Sequence, residues 1–109
     1  MILQEREARA CAIIDSMTEE LRDISLYLHD NPELGLNEHK AVKIIYQFLE
    51  NHNFTSQVGL TDLPELQTAL RGDYNGTAQH KIAFLGEYDA LPELGHGCGH
   101  NLIAMMSLG

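Results

Sequence analysis

The run Lys81-Ile82-Ala83-Phe84-Leu85-Gly86-Glu87-Tyr88 constrains the fold more than any other part of this chain. From Ile82 to Leu85 it is apolar without interruption, where a half-exposed strand would alternate, so it reads as a strand covered on both faces. Such a strand needs a layer on each side of its sheet, and the helical patterns around it point to an α/β sandwich. A weaker strand is expected around Leu66 to Leu70. Between the two lies the turn Gly72-Asp73-Tyr74-Asn75-Gly76, with Asn75-Gly76 its strongest signal.

From about Glu5 to Leu28 apolar residues recur at Cys11, Ile14, Met17, Leu21, Ile24 and Leu28. Steps of three and four put them on one face of a single amphipathic helix, with Cys11 in the core. Asn31-Pro32 ends that helix, because the residue before proline is pushed out of the α region, and a short loop runs through Gly35. Asn37 is expected to cap the next helix and Glu38 to sit in its first turn. Ala41, Ile44, Ile45, Phe48 and Leu49 form its buried stripe, with fraying near Asn51-His52-Asn53. Pro92 stops the main strand, and Leu102-Ile103-Ala104-Met105-Met106 reads as the first turns of a third helix, both methionines packed inside. Two helices, two or three strands and a helical stub cannot cover both faces of a central sheet, so the expectation is an unfinished N-terminal piece of a larger domain.

Charge narrows the function classes. The chain of 109 residues carries 7 Lys+Arg against 16 Asp+Glu, a formal net charge of −9. That argues against a nucleic-acid partner, whose affinity rests on a basic face displacing counterions. With 44% hydrophobic and 21% charged residues the composition suits one soluble globular domain. Met1-Ile2-Leu3-Gln4-Glu5-Arg6-Glu7 lacks the basic and apolar regions of a signal peptide. Runs such as Ala10 to Ile14 fall far short of the roughly 20 residues a bilayer span needs. A cytoplasmic protein with no membrane partner is expected. Two cysteines, Cys11 and Cys98, make no disulfide framework, and a cysteine among histidines in a reducing compartment suggests metal or nucleophile chemistry.

That chemistry is concentrated in Glu87-Tyr88-Asp89-Ala90-Leu91-Pro92-Glu93-Leu94-Gly95-His96-Gly97-Cys98-Gly99-His100-Asn101, which begins at the end of the best strand, where ligands bind in open α/β sheets. His96, Cys98 and His100 alternate with Gly97 and Gly99, whose backbone freedom lets a loop fold until several side chains meet at one centre. Thiolate sulfur and imidazole nitrogen are preferred Zn²⁺ ligands, which makes Cys98 and His100 a metal-ligand pair. The same stretch is open to two other readings. In one it is a glycine-rich turn with solvated histidines and a small buried cysteine. In the other Cys98, near a helix N-terminus, is an activated nucleophile. Asp89 reads either as an acceptor that orients a ligand imidazole or as a cap of the Ala90-Leu91-Pro92 turn. Glu87 carries a weaker signal. His29, His39, His52 and His80 share no spacing and read as solvated.

Two segments, Leu28-His29-Asp30-Asn31-Pro32-Glu33-Leu34-Gly35 and Glu87-Tyr88-Asp89-Ala90-Leu91-Pro92 running into Gly95-His96-Gly97-Cys98-Gly99-His100-Asn101, resemble in order and separation the amidohydrolase branch of the aminoacylase and carboxypeptidase superfamily, the M-twenty metallopeptidases. Within it the sequence is most similar to the subgroup holding the aminobenzoyl-glutamate hydrolase B subunit and the peptidase domain-containing 2 proteins, which act on β-alanyl dipeptides. That subgroup shares Gly-His-Asn, where most of the branch has Gly-His-Asp, so Asn101 keeps an acceptor and loses a charge.

The resemblance implies that residues 1–109 are the N-terminal portion of a three-layer α/β/α zinc-peptidase-like catalytic domain, truncated before the lid and dimerisation domain. Cys98 and His100 would be metal ligands, with Asp89, His96 and Asn101 supporting them. It implies two divalent ions per site, zinc or else manganese, cobalt or nickel, and hydrolysis of an amide bond next to a free carboxylate in a small peptide or N-acyl amino acid. The general base would lie beyond residue 109, and the parent protein would be a homodimer. The 109-residue chain alone is expected to be inactive and to bind metal weakly. The rival expectations are a non-catalytic fragment that associates with a partner and a hydrolase using Cys98 as nucleophile.

Overall fold

The computed structural model describes residues 2–59 and 62–109. Its elements are α1 (Leu3–Ser16), α2 (Thr18–Asp30), α3 (His39–Asn51), β1 (Thr55–Val58), a 3-10 turn over Pro64–Leu66, β2 (Leu70–Asp73) and α4 (His100–Leu108). The class is mixed α/β, with one two-stranded antiparallel sheet among the described residues. Thr55 pairs with Asp73 and Val58 with Leu70.

The single N-terminal helix expected from the apolar period is broken at Met17, whose backbone leaves the helical region at φ −99°, ψ 5°. Side-chain competition explains the break. Ser16 Oγ donates to the Ile13 carbonyl at 2.6 Å and Thr18 Oγ1 to the Asp15 carbonyl at 2.7 Å, bonds that rival the backbone ladder and bend a helix. The consequence is that α1 buries nothing, and Cys11, expected in the core, is exposed.

Helix α2 carries the stripe inward instead. Ile24 and Leu28 meet Ala41, Ile45, Phe48 and Leu49 of α3 and Ala104 and Met105 of α4, and Leu28 is the most enclosed side chain, 1% exposed. Met106, expected inside, is 81% exposed on the opposite side of α4. Asn31 ends α2 as expected, and its side-chain amide donates to the Tyr27 carbonyl at 2.9 Å. At the other end of α3 the chain leaves the helix after Asn51 and takes a left-handed turn at Asn53, φ 66°. His52 is half-buried rather than solvated, stacked on Phe48 and bonded through Nε2 to Glu20 at 3.1 Å.

The cap of α3 is not Asn37. Glu38 occupies the N-cap position without a side-chain capping bond, and the free amides are taken by the carboxylate of Glu33, seven residues before Lys40. Oε1 accepts from Lys40 N at 2.9 Å and Ala41 N at 2.8 Å, and Oε2 from Lys40 N at 2.9 Å. A carboxylate here satisfies amides left without intrahelical partners and faces the positive end of the helix dipole.

The largest departure concerns Lys81–Tyr88. The weaker strand lies a few residues later than expected, as β2, and pairs with β1; Gly72 and Asp73 of the expected turn belong to it. The apolar run itself joins no ladder among the described residues, and Ile82, Phe84 and Leu85 are 83%, 79% and 91% exposed. The covering predicted for both faces is therefore absent from these residues, because no strand or helix packs on the run before its end. Only that end is held: Ser107 Oγ donates to the Leu85 carbonyl at 2.7 Å, a Cβ on Gly86 would come within 2.9 Å of Ser107 Oγ, and Tyr88 packs on the core. Tyr88 donates its hydroxyl proton to the Thr68 carbonyl.

Two outcomes follow from this packing. An exposed apolar segment whose amides join no ladder is a template for association. The 109-residue chain should show concentration-dependent self-association by sedimentation, and the double substitution Phe84→Lys/Leu85→Glu, at two exposed positions, should abolish it while changing stability by no more than about 0.5 kcal/mol. Burial, and after it the charge of Glu38, pushes the Tyr88 phenol up to about 12. Its unfolded value is near 10. A proton held more tightly in the folded state stabilises fully below pH about 10, and that contribution is lost as pH rises through about 12. Denaturant midpoints should fall over this window. Tyr88→Phe should lower neutral stability by about 1 kcal/mol through the lost bond and flatten the alkaline fall; an equally steep fall in the variant would contradict the assignment.

Candidate active site

The loop from Asp89 to Gly99 is held by backbone bonds rather than by a sheet. Ala90, buried, donates its N–H to the Glu33 carbonyl at 2.7 Å, and Leu34 and Ala90 form an isolated parallel bridge. Leu91 and Gly95 exchange two bonds, Leu91 N to Gly95 O at 2.8 Å and the return at 3.2 Å, closing a tight turn over Pro92, Glu93 and Leu94. Gly99 then takes a left-handed φ of 75°, open to glycine without strain, and serves as N-cap of α4. Its carbonyl accepts from Leu102 N and Ile103 N, so the helix starts at His100 with the imidazole in its first turn.

His100 is the best-held side chain of the loop. Its Nδ1 lies 2.6 Å from Asp89 Oδ1 and 3.1 Å from the Asp89 carbonyl, and its Nε2 lies 3.1 Å from Glu87 Oε2. With two acceptors of Asp89 around Nδ1, the hydrogen belongs on that nitrogen, which leaves Nε2 to carry the lone pair in the neutral ring. A lone pair and a carboxylate oxygen at 3.1 Å repel unless a cation is shared between them, either a proton on the ring or a bound metal ion.

The remaining site candidates divide. His96 has a buried Nδ1 with no hydrogen-bond partner, and burial holds its pKa below the ordinary value. The nearby Leu28 backbone and Asp89 act in the opposite sense, while His29 and His100 add to the lowering. Cys98 is an exposed free thiol, so it is not the small buried hydrophobe of the plain-turn reading. Asn101 is buried and ties α4 to α2, its side-chain amide 3.3 Å from Ser25 Oγ and 3.4 Å from the Ser25 carbonyl. Among the described residues no three His, Cys, Asp or Glu side chains come together in a way that could hold a metal ion. His29, His39 and His80 are exposed.

Sequence reasoning ranked Glu87 low and passed over Glu33 and Glu38. Glu87 lies two residues before Asp89, and its place beside His100 depends on how α4 docks. Glu38 Oε2 accepts from Thr68 Oγ1 at 3.4 Å, while its Oε1 is buried without a partner. With Glu87 and Asp89 it lines an open pocket of about 290 Å³ above Tyr88. No local pattern links residues this far apart in the chain.

No family model matches the chain. It is 37% identical over 108 positions to the Xaa-Arg dipeptidase of Mus musculus, an alignment covering 94% of this chain and 25% of that protein. With the Xaa-Arg dipeptidase of Homo sapiens it shares 32% over 111 positions, 94% of this chain and 26% of the relative. With the p-aminobenzoyl-glutamate hydrolase B subunit of Escherichia coli it shares 30% over 107 positions, 83% of this chain and 21% of the relative. The chain thus spans about a quarter of the length of the curated relatives it matches. No helix among the described residues is long and apolar enough to cross a membrane. The chain is thus a homologue of the Xaa-Arg dipeptidases over 94% of its length and of the p-aminobenzoyl-glutamate hydrolase B subunit over 83%.

Proposed function

We propose that this chain is the N-terminal portion of the catalytic domain of a metal-dependent amidohydrolase or dipeptidase, part of a three-layer α/β/α domain completed by further sequence. The observation that carries the reading is His100: Asp89 takes the hydrogen of one ring nitrogen while the other faces Glu87 at 3.1 Å, an arrangement that calls for a cation. The donor set fits a divalent ion of borderline softness, with Cys98 supplying a thiolate and His100 its Nε2. Further donors are needed to complete a site, and relatives about four times as long as this chain have room for them. When bound, such an ion supplies Lewis acidity for amide hydrolysis.

The residues of this chain prepare that chemistry. Asp89 fixes the tautomer and angle of the His100 ring, the usual service of a carboxylate behind a ligand imidazole. Gly99 turns the chain so that His100 opens α4 within reach of both carboxylates. The carboxylates of Glu38, Glu87 and Asp89 around the pocket, together with a net charge of −9, favour a substrate that carries a positive group. A small dipeptide with a basic side chain meets that condition and agrees with the name of the mammalian relatives. A second reading, a non-catalytic chain that associates through its bare edge, is favoured by the exposure of Ile82, Phe84 and Leu85.

Thiol labelling separates metal ligation from the nucleophile reading. Iodoacetamide should modify Cys98 several-fold more slowly with Zn²⁺ than with chelator, read peptide by peptide so that exposed Cys11 serves as the reference. His100→Ala should remove the protection. A Cys98 rate indifferent to both would sink the metal assignment. The 109-residue chain alone should release no amino acid from dipeptides; metal-dependent release would refute its inactivity.

A further inference from the structure

We infer that Glu33 is a positioning residue of the candidate active site, setting through one clamped peptide where Asp89 meets His100. This rests on His100 being the working imidazole. The peptide between Asp89 and Ala90 is gripped from both sides: its N–H donates to the Glu33 carbonyl at 2.7 Å, and its C=O lies 3.1 Å from His100 Nδ1. A trans peptide is planar, with N–H and C=O on opposite sides, so fixing one end aims the other. Bonds at the two ends of one amide also polarise each other.

What fixes the Glu33 carbonyl is the same residue's side chain. Its carboxylate holds the amides of Lys40 and Ala41 at 2.8–2.9 Å, and Ala41 is buried in the core against which α2 and α4 pack. His100 reaches that core by a separate route, through the bond of neighbouring Asn101 to Ser25 of α2. The two halves of the Asp89–His100 pair are thus anchored independently, the imidazole by α2 and the carboxylate by α3, and Glu33 is the link on the carboxylate side. The segment Asn31-Pro32-Glu33-Leu34-Gly35 is therefore more than a connector between helices. Pro32 ends α2, and the next residue joins α3 to the site loop.

The test is NMR on the isotope-labelled 109-residue chain without metal, reading amide exchange at Lys40, Ala41 and Ala90 and the ring nitrogen and Nδ1 hydrogen signals of His100. Glu33→Gln keeps one acceptor oxygen but turns an N–H₂ toward a helix amide. It should speed exchange at Lys40 and Ala41 and, through the clamp, about tenfold at Ala90, with the His100 Nδ1 hydrogen broadened and the ring shifts moved toward mixed tautomers. Glu33→Ala should do so more strongly while the β1–β2 amides stay protected. Glu50→Gln is the control, because Glu50 Oε1 caps Ser56 N at 3.1 Å beyond the far end of α3 and should leave His100 untouched. The inference is overturned if Glu33→Gln leaves Ala90 and His100 as they were, whether or not Lys40 and Ala41 loosen, or if Glu50→Gln changes His100 equally. Should Glu33→Ala unfold the chain, Glu33→Gln decides. Because no metal or turnover is involved, failure here and failure of metal protection at Cys98 are separate results.

Discussion

The 2.6 Å contact between His100 Nδ1 and Asp89 Oδ1 is the interaction on which the site's reading depends, and it joins parts of the chain that meet only because the core has formed. His100 belongs to α4 and Asp89 to the end of an exposed segment outside any helix or strand. Neither segment has a local reason to face the other. Their meeting follows from the burial of Ala104 and Met105 against Ile24 and Leu28, which puts the first turn of α4 beside the loop. Apolar burial, worth roughly 25 cal/mol per Å², supplies the drive. Hydrogen bonds, individually about 1 kcal/mol net, supply the direction.

Polar groups divide the same work at finer scale. Asn101, next to His100, is buried and bonded to Ser25, so loss of charge at this position relative to Gly-His-Asp goes with a structural tie between α4 and α2. An aspartate there would have to bury a charge beside a carbonyl oxygen, at a cost a neutral amide avoids. Three buried polar atoms have no partner among the described residues: Glu38 Oε1, His96 Nδ1 and, on β1, Ser56 Oγ. Buried polar atoms without partners are rare in folded chains, and two of these three belong to residues of the pocket and the site loop.

Much of the helical architecture was legible because helices are local. The stripe of α3, the stop at Asn31-Pro32 and the start of the last helix follow from periods of three and four and from proline's geometry. What failed was non-local. Met17 breaks the first helix because Ser16 and Thr18 bond back to Ile13 and Asp15, and Cys11 and Met106 turn outward because burial depends on which helices finally pack. Strand β1 went unseen because Thr55-Ser56-Gln57-Val58 carries little apolar signal and owes its conformation to pairing with β2. Cys98, His100 and Asp89 stood out by residue type and glycine spacing. Glu33 could not, since a cap seven residues upstream fits no local template.

The run Ile82–Leu85, which joins no ladder among the described residues, shows what continuous apolar character does and does not specify. Continuous apolar character is a statement about surroundings, and here only the last residues of the segment find them, at Ser107 and the core under Tyr88. The loop it leads into is pinned at Ala90, whose N–H donates to the Glu33 carbonyl. A segment anchored at one end loses less backbone entropy on pairing than a free one, because part of the ordering cost has already been met by folding. The site loop and the exposed run therefore share one anchor: the bond from Ala90 N–H to the Glu33 carbonyl holds the start of the loop just past the end of the run.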